Sequence, residues 1–245
     1  TLTFFWNMVP NSADTMDFYI VKEVEPGVSY LSGNTTKNYN VRYETITRPG
    51  SSPYTIKVLE SDYGVIMTKD VITTGFSIGN SRLVLALKWA GLNDYDPSAT
   101  TISGRIDTTI EIMTNVLKYS SNLEFRQAML NFWVSPAANF FYSDRDDIKN
   151  FFIAGRVPLR QSGHTGMFPV EATPSFAWAG RVPPFSTIRL FKKPIIVSAN
   201  NRIVGPGFDY NYGYDFDDGL RAQRMSSFLS NIVTTRAVVK DNILE

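Results

Sequence analysis

The 245-residue chain has no cysteine and a single histidine. The first absence removes disulfides, thiolate metal centres, iron–sulfur clusters and a cysteine nucleophile. The second leaves too little imidazole for the histidine-rich shell of most catalytic zinc sites. Charge of one sign is also lacking: 24 Lys and Arg stand against 23 Asp and Glu, a net charge of +1, so no global field draws the chain to nucleic acid or to an anionic membrane. No apolar run reaches membrane-spanning length, no basic-then-apolar leader follows Thr1, and no glycine-rich loop with lysine offers a phosphate cradle. A soluble, processed chain that needs no cofactor is the expectation.

What is present is strand material. Hydrophobic residues make up 43% of the sequence, enough for one packed domain over 1–245. Apolar and polar residues alternate in Asn40–Ile46, Tyr54–Leu59 and Gly64–Thr68, and Asp17–Val24 reads as a further strand. Phe76–Gly91 is an apolar run that ends in a glycine turn. Between these runs lie Pro, Gly, Asn and Asp clusters such as Arg48-Pro49-Gly50-Ser51-Ser52-Pro53, which punctuate short strands. Ile106–Met113 alternates like a strand, although Ile110, Met113 and Leu117 also share a helical face. Asp144–Phe152 reads as a short helix capped by Ser143, and Asp218–Val233 as a second helix.

No catalytic set stands out. His164, in Gly163-His164-Thr165-Gly166, is expected to be a loop histidine, with no Gly-x-Ser-x-Gly elbow beside it. Asp209, Asp215, Asp217 and Asp218 could hold a hard cation, but their spacing fails the calcium-loop template and a solvated loop is favoured. Arg181, Arg189, Lys192 and Lys193 are interleaved with Phe185 and Phe191, a pattern that suits either single-stranded nucleic acid or a charged edge strand; the edge strand is favoured. Phe208, Tyr210, Tyr212, Tyr214 and Phe216 alternate with polar residues and would share one side of an extended segment. They form either an interface or a cover for the chain's own core. Three glycines between 207 and 219 favour burial by another polypeptide.

Three stretches carry a family resemblance: Phe76–Gly91, Ser120–Arg126 with Phe132–Ser135, and Gly180–Arg189. In this order they resemble strands of picornavirus-like capsid proteins. The resemblance implies a mainly β fold, a single eight-stranded antiparallel jelly-roll sandwich with a few short helices and extended terminal arms, residues 195–245 forming a C-terminal arm or helix. It further implies a structural coat protein, not an enzyme, located in the virion, with other capsid proteins or copies of itself as partners, weak contact with genomic RNA and no membrane. No catalytic residue is carried over. The alternative is a secreted or phage-borne β-sandwich module that binds carbohydrate or protein through the tyrosine stripe.

Overall fold

The structure, a computed structural model, describes residues 12–13, 15–67, 76–78, 81–91, 112, 114–115, 118–132, 137–143, 149–183, 189–191, 195, 197–205, 207–214 and 216–231. In chain order the elements are β1 (Ser12–Ala13), β2 (Met16–Glu25), β3 (Ser29–Ser32), β4 (Thr35–Asn38), β5 (Asn40–Ile46), β6 (Tyr54–Ser61), β7 (Gly64–Ile66), β8 (Phe76–Ile78) and β9 (Ser81–Trp89). Then follow α1 (Asn122–Phe132), β10 (Ala137–Ser143), β11 (Lys149–Ala154), β12 (Pro158–Arg160), β13 (Val170–Glu171), β14 (Trp178–Arg181), β15 (Arg189–Phe191) and α2 (Leu220–Ser230).

The fold is mainly β and antiparallel, with few helices. One sheet of nine strands runs β4-β3-β2-β9-β7-β6-β5, with β8 on β9 and β13 parallel to β2; a second runs β1-β10-β11-β15, and β12 pairs with β14. These sheets of nine and four strands replace the expected eight-stranded jelly roll. Strand β2 organises the larger sheet because its inward positions are Asp17, Tyr19, Val21 and Glu23. Across the ladder Tyr19 faces Ala86 and Val21 faces Val84, so a large ring meets the smallest side chain available. Tyr30, Tyr39, Leu59, Tyr63 and Ala172 complete this core.

The smaller sheet is covered on both faces. Phe151 and Ile153 pack with Val157, Val182 and Tyr212, while Phe152 and Ala154 face Ile112 and the α1 residues Met129 and Leu130. Two-sided burial explains why 149–154 is a strand where a helix over 144–152 was expected; residues 144–148 lie outside the described set. The stretch from Ser120, expected to be a strand, is instead the helix α1. Ser121 Oγ accepts from the backbone N–H of Glu124 at 3.2 Å, and the Glu124 carboxylate accepts from the backbone N–H of Ser120 at 2.9 Å, a capping arrangement. Of Ile106–Met113 only Ile112 is described, and it is buried. The C-terminal helix is present as α2, with none of its residues buried.

Strands β5 and β6 pair from Asn40 opposite Glu60 to Ile46 opposite Tyr54, whereas β7 meets β6 only at Glu60 and Ser61. Beyond that point the two strands form a ribbon with all of β5 exposed, Tyr43 to 67%.

Candidate active site

Two polar constellations stand out. The first is buried where β2, β12, β14 and the turn after β12 converge. Arg160 Nε donates to both oxygens of Asp17 at 3.0 and 2.9 Å, Trp178 Nε1 donates to Oδ2, and His164 Nε2 lies 3.4 Å from Oδ1. His164 Nδ1 is 2.8 Å from the carbonyl of Phe176, which also accepts from the Tyr19 hydroxyl at 3.0 Å. Burial pushes the Asp17 carboxyl up, but the hydrogen bond from His164 and the charge of Arg160 outweigh it and hold it below the usual carboxylate range. His164 does lie in a loop, as the sequence pointed to, but it is buried there, with Nδ1 on a backbone carbonyl and Nε2 turned toward the Asp17 carboxylate.

Beside this clasp lies a cavity of about 280 Å³, walled by Gln161, Thr165, Asp209, Asn211 and Tyr214 among others. Asn211 Nδ2 donates to the carbonyl of Thr165 at 3.1 Å and to the Tyr214 hydroxyl, tying the two walls together.

The second constellation centres on Asn200. Among the described residues it alone, apart from glycines, has a positive φ, 65°. Asparagine tolerates the left-handed region better than other side chains, but the conformation is costly enough to need support. That support comes from Arg221 in the first turn of α2, whose Nη2 donates to the carbonyl of Ala199 at 3.1 Å and to Oδ1 of Asn200. Asp217 accepts from the same nitrogen at 2.6 Å, and its backbone N–H donates to the carbonyl of Asn200 at 2.8 Å. With Oδ1 held by the guanidinium, the orientation of the Asn200 amide is fixed. The Nδ2 end, with its two donors, is therefore the end turned away from Arg221.

The three described aspartates of this group have separate partners or places. Asp209 lines the cavity, Asp217 pairs with Arg221, Asp218 Oδ1 accepts from the backbone N–H of Leu220 at 3.0 Å, and Asp215 lies outside the described residues. Among the described residues no group of three or more acidic or histidine side chains could hold a metal. Of the basic residues, Arg189 lies in the edge strand β15, Arg181 closes β14, and Lys192 and Lys193 lie outside the described residues.

The ring residues part company. Tyr212 is 1% exposed, with Phe208, Tyr210 and Phe216 packed on the same cluster of the chain itself, whereas Tyr214 is 44% exposed beside the cavity. None of the described residues 208–214 and 216 lies in a strand, so the alternation in sequence is not the alternation of an extended strand there. Asn200 and Arg221 were missed by sequence reasoning. The Asn200-Asn201 pair after an apolar run was the available signal, since asparagine favours tight left-handed turns.

A family model for penicillin amidase matches residues 4–242. Among solved structures, a thermostable penicillin G acylase from Alcaligenes faecalis is similar with a TM-score of 0.67 at 16% identity, over 94% of this chain and 38% of that one. That likeness is one of fold, and the chain spans less than two fifths of the acylase's length. No curated protein matches in sequence.

These findings overturn the capsid resemblance. With it go the coat-protein function, the non-enzymatic role, the capsid and RNA partners and the virion location; the binding-module alternative falls as well. Short apolar runs ending in small-residue turns recur in any antiparallel sheet. In one of the three supporting stretches, residues 122–126 and 132 moreover lie in the helix α1, and β9 is an interior strand of a nine-stranded sheet.

Proposed function

The chain belongs to the penicillin amidase family, and from that premise we propose that it forms part of a hydrolase that cleaves an acyl–nitrogen bond, with the Asn200 amide as the donor that stabilises the oxyanion. Addition of a nucleophile to the acyl carbonyl puts negative charge on its oxygen; collapse expels the amine, which leaves with a proton, and water completes release of the acid. Charge developing on that oxygen is lowered in energy by a donor already fixed in place, because no reorganisation is then needed during the reaction.

The observation that carries this reading is the left-handed backbone of Asn200 combined with the guanidinium on its Oδ1. A side-chain amide held in one orientation by a cation is a preorganised donor. The cluster supplies charge stabilisation only: an amide, a guanidinium and a carboxylate contain no hydroxyl, thiol or amine to attack with.

The test uses the full protein that contains this chain and a panel of N-acyl nitroanilides with differing acyl groups, following nitroaniline release. Asn200→Ala is expected to lower kcat by about 10²–10³-fold with KM little changed, the cost of one lost oxyanion donor. Wild-type kcat in a folded Asn200→Ala protein overturns the assignment of Asn200. Absence of hydrolysis across the panel by the unaltered protein overturns the amidase reading.

A further inference from the structure

Asp217 touches both halves of the Asn200 cluster. Its backbone N–H donates to the carbonyl of Asn200 at 2.8 Å, its carboxylate takes Arg221 Nη2 at 2.6 Å, and it bridges to Asn201. The Asp217 and Arg221 side chains are 44% and 61% exposed. An ion pair so open to water adds little to stability. Global stability is therefore a poor account of why the carboxylate is there.

A second account is that Asp217 serves the N-terminus of α2, where an anion is favoured by the helix dipole. That task has an occupant: Asp218 Oδ1 already accepts from the backbone N–H of Leu220 at 3.0 Å. What Asp217 does that Asp218 does not is hold the guanidinium that holds the amide. Without its carboxylate, Arg221 in the exposed first turn of α2 keeps a long side chain with several rotamers, and the Asn200 amide loses its fixed partner.

We infer that Asp217 is a positioning residue, locking Arg221 in the rotamer that orients the Asn200 amide for oxyanion stabilisation. The inference rests on the proposed role of Asn200. It is tested in the full protein with Asp217→Asn, with Asp217→Glu as the conservative variant and Asp218→Asn as the control for helix capping.

Asp217→Asn is expected to lower kcat by about 10- to 100-fold, the equivalent of one charge-assisted hydrogen bond, with KM unchanged. Asp217→Glu is expected to recover part of the loss, and Asp217→Asn combined with Arg221→Ala to be no slower than Arg221→Ala alone. The independent readout is nuclear magnetic resonance: the Arg221 Nε–H and Asn200 side-chain NH₂ signals should move in Asp217→Asn and stay in place in Asp218→Asn. Unmoved signals in Asp217→Asn, or equal changes in both variants, overturn the inference. If the unaltered protein hydrolyses no acyl anilide, the amidase reading fails on its own, while the resonance comparison still decides whether Asp217 orients Arg221 and Asn200.

Discussion

Arg160 meets Asp17 through a single nitrogen shared between both carboxylate oxygens, at 3.0 and 2.9 Å, with the two side chains only 3% and 1% exposed. Charges this deeply buried are tolerable only as a pair. The pair links β2 to the end of β12, 143 residues later, and thereby places the turn that carries His164 and one wall of the cavity.

Asp17→Asn should destabilise the fold by about 3–5 kcal/mol, because it leaves the Arg160 cation buried without its counter-charge. Urea denaturation followed by tryptophan fluorescence measures this. A loss under about 1 kcal/mol would mean that the guanidinium escapes to solvent.

The same carboxyl sets an acid limit. Its pKa is lower folded than the ordinary value of 3.8, so its contribution is complete above that value and disappears as pH falls through the folded one. The urea midpoint of the wild-type protein should therefore drop steeply below about pH 4. Asp17→Asn should show a shallower drop over that range.

Gly64 sits at φ 108°, where a Cβ would lie 2.1 Å from the carbonyl oxygen of Leu87 on the neighbouring strand. Gly64→Ala should consequently part β7 from β9 and lower the melting temperature by several degrees, since the obstacle is backbone and a loss of 1 kcal/mol corresponds to roughly 2–4 °C in a domain of this size. A melt that coincides with wild type would contradict the close approach.

The Tyr63 hydroxyl and Ser32 Oγ are 2.7 Å apart in the core of the larger sheet. Tyr63→Phe strands the serine hydroxyl and should cost about 1–3 kcal/mol, whereas pairing it with Ser32→Ala should recover part of that loss. A double-mutant cycle in urea checks this coupling.

In the larger sheet Asp17–Val24 was legible because it buries one face, whereas Asn40–Ile46 and Tyr54–Leu59 emerged near their sequence boundaries from alternation and bounding turns alone, all of the former and most of the latter being unburied. The smaller sheet was not, because Phe151, Phe152 and Ile153 are covered on both sides and alternation is lost. For α1 a local signal was present, Ser121 with Glu124 three residues on, but the resemblance of Ser120–Arg126 with Phe132–Ser135 to a capsid strand pointed to a strand instead. The Asn200 cluster depends on residues 199–201 meeting 217–221, and no spacing rule reveals such a meeting. The inward position of Asp17 was equally hidden, since on β2 a buried aspartate makes sense only once Arg160 and His164 arrive.

The ribbon of β5 and β6 stands apart from this interdependence. Two strands without a third are marginal by themselves, and here neither face rests on the core beyond Leu59. Its free energy is accordingly almost uncoupled from that of the Asp17 clasp and the Asn200 cluster. The tip at Gly50 and Ser51, exposed and bounded by Pro49 and Pro53, is thus a natural grafting point: a tag, an epitope or a whole guest domain spliced there would leave the rest of the molecule thermodynamically unaware of its presence.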